Sequence, residues 1–330
     1  MSSYREHCQM METISTSLFI QMTLIFQFLC SLIALPVVVV ASYWLWKSRN
    51  GKLFHINVII IFQVHLFGFF VHFFSRIILH GLDLYNYAVF DYCNMPASTI
   101  RCFILRTQYV FGMRLISATT IPFIIERYVA TVKSPSYEHS GCTFGILMAI
   151  LQLSIVLFST VFSFSSFSFA DPFMDYCISF KIGKFGSTEV IHSLGVATQI
   201  FGRILFEYIF QKNEKLRSKR LTSTLSNRYS LQQNMKSMET LKVFANLQSI
   251  FLTAQMTIFL FILYVGLSIE KPTYISLVEL NASYPIYAVV SIVILFKRDR
   301  SSRVKLEKSL ETHVQADQSI YFENFKKAWQ

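Results

Sequence analysis

Charge is what this sequence has least of. Only 15% of its 330 residues are Asp, Glu, Lys or Arg, against about a quarter in soluble domains. That excludes an ordinary water-exposed globule. Glycine and proline are few as well, 11 and 7, and no stretch of the chain repeats another. Repeats and Gly/Pro-broken helices mark many transporters, so a transporter or channel is only the alternative reading. No His-Glu-x-x-His, no Gly-rich phosphate loop and no nucleophile–base–acid arrangement occurs. An enzyme, a metal centre or a bound cofactor is therefore not expected. The net charge of +11 does not point to nucleic acid, because the basic residues sit mostly in the loops and tail that flank the apolar runs.

What is present is apolar bulk. Hydrophobic residues make up 53% of the chain and Phe alone numbers 33. Seven apolar runs stand out, at about 18–46, 53–79, 102–130, 142–164, 188–210, 241–266 and 273–296. Each is near the ~20 residues that a membrane helix needs. The sequence thus predicts an all-α protein embedded in a lipid bilayer, a seven-transmembrane bundle over 18–296. A polar N-terminus (1–17) precedes it and a basic tail (297–330) follows it. Lys and Arg lie far more often on the side of the first, third and fifth connections and the tail than on the opposite side. The positive-inside rule then puts the N-terminus outside and the tail in the cytoplasm.

Segment 3 carries a distinctive pattern. It opens at Cys102 and ends at Glu126-Arg127-Tyr128. The 25 residues between Cys102 and Arg127 span about 37 Å as a helix, enough to join the two membrane faces. This resembles the third helix of G-protein-coupled receptors, with a disulfide anchor outside and an acid-Arg-Tyr motif inside. The triplet continues as Val129-Ala130-Thr131, and Tyr137-Glu138 follows in the loop. Segment 2 begins Leu53-Phe54-His55-Ile56-Asn57. The third inner loop contains Leu225-Ser226-Asn227-Arg228-Tyr229-Ser230-Leu231-Gln232-Gln233-Asn234, and the tail ends Tyr321-Phe322-Glu323-Asn324-Phe325-Lys326-Lys327-Ala328-Trp329. Together these resemble the nematode serpentine chemoreceptors of the Sra superfamily. Class e (epsilon) is the nearest in pattern, with classes a, ab and b close to it. Two positions depart from the class e inner-loop pattern, Ser230 and Gln233. Segment 6 lacks proline and tryptophan and segment 2 lacks Asp, so the rhodopsin-like proline toggle and sodium site are absent.

The resemblance implies a chemosensory receptor in the plasma membrane or the ciliary membrane of sensory neurons. Its partners would be a small-molecule ligand, a heterotrimeric G protein and the bilayer. Glu126, Arg127, Tyr128, Arg228 and Tyr229 would serve G-protein coupling. Four cysteines, Cys8, Cys93, Cys102 and Cys177, fall on the outer side, where disulfides persist, and their spacing leaves three pairings open. The resemblance implies Cys102–Cys177, which leaves Cys8–Cys93 as a second bridge. Cys30 and Cys142 read as packing residues.

Charges inside apolar runs each cost at least ~2.5 kcal/mol at the bilayer centre, so they should face the bundle interior and find partners. These are Arg76, Arg106, Arg114 and Glu279, candidates for lining a ligand pocket between the outer halves of segments 2, 3, 5, 6 and 7. Arg203 and Glu207 are four apart, a spacing that predicts a local pair. Leu231, Met235, Met238 and Leu241 recur at helical spacing, which predicts that segment 6 extends into the cytoplasm with an apolar face for a G protein.

Overall fold

The computed structural model describes residues 2–47, 54–95, 98–133, 137, 140–165, 167, 169, 176–177, 186–219, 225–302 and 304, with side chains at all of these except 2–7, 94, 217–219 and 225–233. Among the described residues the regular elements are all helical. In order they are α1 (Ser2–Ser15), α2 (Leu18–Lys47), α3 (Ile56–Val89), α4 (Thr99–Ala118), α5 (Thr120–Val132), α6 (Thr143–Phe164), α7 (Ser187–Lys219), α8 (Leu225–Val265), α9 (Lys271–Asn281) and α10 (284–302). Among the described residues, six helices or helix pairs are long and apolar enough to cross a membrane. They are α2, α3, α4 with α5, α6, the C-terminal part of α8, and α9 with α10. The seventh, α7, is 33 residues long but interrupts its apolar surface with His192, Gln199, Arg203 and Glu207. The result is a seven-helix membrane bundle.

Helix α3 is its axis. Its most apolar stretch is 61% buried, against 28% for α6, which lies at the lipid-facing rim. Side chains this apolar gain nothing from facing one another rather than lipid, so close packing has to hold the helices together. Glycine supplies it where α3 crosses α4. A Cβ on Gly112 would come within 2.7 Å of the Gly68 carbonyl and of the His72 amide, so only hydrogens fit between the two backbones. Further inward, Gly145 on α6 sits against α3. Its amide donates to Asn57 Oδ1 at 2.9 Å, and a Cβ there would fall 2.7 Å from the Asn57 Cα.

Aromatic rings fill the inner half. Phe62 meets Phe244 at 4.7 Å and Phe123 at 5.8 Å between centroids, and Phe123 stacks on Phe206 at 5.6 Å. Four helices, α3, α5, α7 and α8, therefore share one ring cluster, and edge-to-face and stacked pairs of this kind add ~0.5–1.5 kcal/mol beyond area burial.

Two predicted continuous spans are broken, each by a proline. Pro122 has no amide hydrogen and its ring crowds the carbonyl four residues back, which divides segment 3 at Thr119. The break is held by polar contacts: Gln152 donates to the Leu115 carbonyl at 2.9 Å and to the Thr119 hydroxyl at 2.8 Å. Pro285 has the same effect on the last span, where Ala282 leaves helical geometry at ψ 50°. Two further expectations change. The polar N-terminus forms α1, whose Met11 and Ile14 are buried. The third inner connection is largely helix, because α7 runs on to Lys219 and α8 starts at Leu225.

Candidate functional site

Charged side chains gather at two depths of the bundle. The outer group centres on Glu279, at the C-terminal end of α9. Arg106 Nη1 donates to its Oε1 at 2.8 Å, Arg76 Nη2 stands 3.5 Å from Oε2, and Tyr176 donates to Oε1 at 3.2 Å. His80 Nε2 lies 3.6 Å away, and the Tyr109 hydroxyl donates at 3.5 Å. Arg76, His80 and Glu279 are wholly buried. Arg76 also closes the α9–α10 break: Nη1 donates to the Ala282 carbonyl at 2.6 Å and Nη2 to the Glu279 carbonyl at 3.1 Å. Gln27 on α2 donates to that same Glu279 carbonyl at 3.0 Å. The guanidinium thus satisfies backbone acceptors that the broken helix releases.

The outer loop reaches this group through a disulfide. Cys102 is joined to Cys177, with Cα atoms 5.3 Å apart, so neighbouring Tyr176 is carried down onto Glu279. Burial and the Glu279 carboxylate both push the Tyr176 phenol well above its ordinary range, which keeps it a neutral donor. Cys8 is joined to Cys93, with Cα atoms 4.6 Å apart, and ties α1 to the loop after α3. Both bridges lie at one end of the bundle.

A cavity of about 720 Å³ opens beside this group, between α4, α6, α7, α8 and the α9–α10 break. Its walls are mostly apolar, with Arg106, Arg114, His192, Gln199 and Gln255 as polar points. Concave, largely apolar space with a few placed polar groups is what small-molecule sites share. Of the four charged residues singled out in the sequence, Arg106 and Arg114 line it. Arg76 and Glu279 stand behind the wall as the pairing network described above. Segment 4 contributes a wall and segment 2 does not, which changes the expected set of helices. Arg114 donates Nη1 to the Ser159 carbonyl.

The inner group centres on Glu126 and Arg127, which are 0% and 2% exposed. Arg127 Nε donates to Oε2 at 2.5 Å and Nη2 to Oε1 at 2.6 Å, a two-pronged pair that places both carboxylate oxygens on one guanidinium edge. The remaining nitrogen, Nη1, reaches α8 at Asn234 Oδ1 and Ser237 Oγ, both 3.4 Å away. Tyr137, from the loop after α5, donates to Glu126 Oε1 and accepts from Asn57 Nδ2 at 3.0 Å. Burial and the Glu126 charge raise the Tyr137 phenol above its ordinary value, so it remains a donor. Tyr128 points the other way. It is 48% exposed, and Lys212 Nζ lies 5.5 Å from its ring. Arg228 and Tyr229 fall in the first turns of α8, and their side chains lie outside the described residues.

Sequence spacing misassigned two contacts. Glu207 pairs with Lys242 on α8 at 2.9 Å rather than with Arg203, whose side chain points outward. Met235, Met238 and Leu241 do lie on one face of α8, but all three are buried within the bundle and form no exposed apolar face among the described residues; the side chain of Leu231 lies outside them. Sequence reasoning also left out Tyr137, Tyr176 and Asn57. The Tyr137-Glu138 pair was visible as a motif. Nothing local marks Tyr176 except its position beside Cys177.

Residues 5–330 match the family described as serpentine type 7TM GPCR receptor class ab chemoreceptor. The chain belongs to that family. It is a multi-pass membrane protein of a chemoreceptor class rather than of an enzyme class. The match bears out the Sra-superfamily resemblance and puts the chain in class ab, one of the classes close to the motif pattern, rather than in class e, from whose inner-loop pattern Ser230 and Gln233 depart. The chain is also 28% identical over 158 residues to serpentine receptor class alpha/beta-14 of Caenorhabditis elegans. That alignment covers 45% of this serpentine chain and 39% of the relative, so the chain matches well under two thirds of that protein's length.

Proposed function

We propose that this serpentine chain is a G-protein-coupled chemosensory receptor of the plasma membrane, borne on the cilia of sensory neurons. A small molecule binds in the 720 Å³ cavity and shifts the bundle between two arrangements. Glu126, Arg127, Tyr128, Arg228 and Tyr229 form the contact with a heterotrimeric G protein in the active arrangement. One observation carries this reading. The α4–α5 pair lines the cavity from Arg106 to Ile121 and, four residues beyond the Phe62–Phe123–Phe244 ring cluster, ties Arg127 to α8 at Asn234 and Ser237. The same helix pair therefore touches both the cavity and a bond that holds α8 against the bundle. A ligand can move such an equilibrium only by its differential affinity for the two states, and the cavity's walls include α8 residues Gln255, Met256 and Phe259, which supply that difference. The test is a G-protein activation assay in heterologous cells expressing the full chain, screened with volatile and water-soluble small molecules. Activation that disappears with substitutions at Arg127 supports the reading. Ligand binding that never changes nucleotide exchange on any co-expressed G protein overturns it.

A further inference from the structure

Arg114 differs from the three buried arginines of the bundle. Arg76 and Arg106 share Glu279, and Arg127 has Glu126. Among the described residues no carboxylate lies within ion-pair distance of Arg114. Its guanidinium carries five donors, and its described bond is the one from Nη1 to the Ser159 carbonyl. It is half-buried, and the space in front of it is the cavity. Arg106, two turns outward on the same helix, lines that cavity too. The outer group adds no compensating negative charge, because Arg76, Arg101 and Arg106 outnumber Glu279 and the nearby Asp83. The cavity is therefore an apolar chamber with a net positive wall, and the neutral Ser159 carbonyl offsets none of the Arg114 charge.

The chamber's openings are as informative as its charge. Its outer end adjoins a cluster of Ile14, Tyr176, Phe259 and Tyr274, pinned by the Cys8–Cys93 and Cys102–Cys177 bridges. On the side, Phe158 of α6 and Leu194 of α7 both line the cavity and are 75% and 63% exposed. A residue can do both only where the wall is open, and this opening lies between two helices at lipid depth.

We propose that the cavity takes an amphipathic monoanion, an apolar chain or ring bearing one carboxylate, whose head pairs with Arg114 and whose body lies toward the α6–α7 opening, entering from the bilayer. This rests on the receptor reading for the use made of the site, and not for the site itself. A fork-shaped guanidinium matches a planar carboxylate, and the opening suits a molecule already dissolved in lipid.

The test is binding to the purified full chain in lipid nanodiscs, with empty nanodiscs as the baseline. Radiolabelled decanoate is the probe, with decanol and decylamine as competitors. Decanoate should bind saturably, and unlabelled decanoate should displace it at least tenfold better than either competitor. Arg114→Gln should abolish that preference and Arg114→Lys should retain part of it. A decanoate analogue with a chain-end diazirine, used on the unaltered protein, should label peptides around Phe158 and Leu194. Equal displacement by decanol overturns the proposal, as does labelling confined to other helices; so does full decanoate preference in a folded Arg114→Gln protein. If Arg114→Gln does not fold, the unaltered protein's displacement series and label map decide alone. G-protein activation is read separately: saturable, Arg114-dependent binding without activation sinks the receptor reading and leaves this site standing.

Discussion

Arg106 and Glu279 lie 173 positions apart in the chain and 2.8 Å apart in space. That contact joins α4 to the end of α9, and it is buried on both sides. A buried pair is weak evidence of net stabilisation, but removing one partner leaves the other charge uncompensated, at ~3–5 kcal/mol. Glu279→Gln should be the more damaging change, because it strands Arg76 and Arg106 together. Fluorescence-detected size-exclusion with a thermal ramp should show that variant melting well below the parent and reaching the surface poorly. Arg106→Met, which leaves Glu279 with Arg76, should cost less. Equal melting of Glu279→Gln and the parent would refute the network's role in holding α9.

The Cys102–Cys177 bridge makes a second, independent claim on the same residues. Cys177→Ser releases the loop that places Tyr176 on Glu279. Loss of such a bridge typically costs ~2–4 kcal/mol. Peptide mapping without reduction should recover Cys102 joined to Cys177 and Cys8 joined to Cys93, with Cys30 and Cys142 alkylated. Cys177→Ser should lower the melting temperature, and Tyr176→Phe should produce a smaller drop, because it removes one hydrogen bond to a charged group, ~1.5–3 kcal/mol. Finding Cys102 and Cys177 free on surface-exposed protein would sink this.

The bundle was legible because lipid demands long apolar runs, and Arg106 and Arg114 stood out as charges within them. Arg127 was placed by counting from Cys102. The sequence could not reveal which acid serves which base. Glu279 draws partners from 203, 173 and 103 positions away, and such pairings depend on how helices rotate about their axes. Local spacing misled for the same reason: Glu207 had Arg203 one turn away, yet Lys242 on a neighbouring helix took it. The breaks at Thr119 and Ala282 were foreshadowed by Pro122 and Pro285. Their repair by Gln152 and Arg76 was not, since both are donated across the bundle. The N-terminal helix was hidden because its buried face is short, with Met11 and Ile14 three apart in a polar stretch.

Orientation is the third prediction. Both disulfides lie at the end opposite Arg127, and Lys and Arg crowd the connections on the Arg127 side. An N-terminal epitope tag should stain on intact cells and a C-terminal tag only after permeabilisation. Tail staining on intact cells would remove the basis for any G-protein contact at Arg127.

The last prediction separates a restraint from a charged helix flank. Arg127 divides its donors: Nε and Nη2 hold Glu126, and Nη1 reaches Asn234 and Ser237 on α8. At 3.4 Å the α8 contacts are long, so each is worth the lower part of the usual range, ~0.5–1 kcal/mol. Asn234→Ala with Ser237→Ala should therefore raise basal signalling by about 5- to 30-fold if both bonds exist only in the resting arrangement, since 1.4 kcal/mol is a factor of ten. Surface expression should not change. Tyr137→Phe should act in the same direction, because it loosens Glu126 and leaves Asn57 Nδ2 without its acceptor. Arg127→Lys is the opposing control. Lysine keeps the charge but lacks the planar fork, so it can hold Glu126 or reach outward, not both. Stimulated signalling should fall at least tenfold at equal surface expression, measured as G-protein activation in the same cells. Should Arg127→Lys signal like the parent, and the Asn234/Ser237 double variant stay silent at rest, then Glu126 and Arg127 merely close the end of α5. The bond between α5 and α8 would then be packing without a switch.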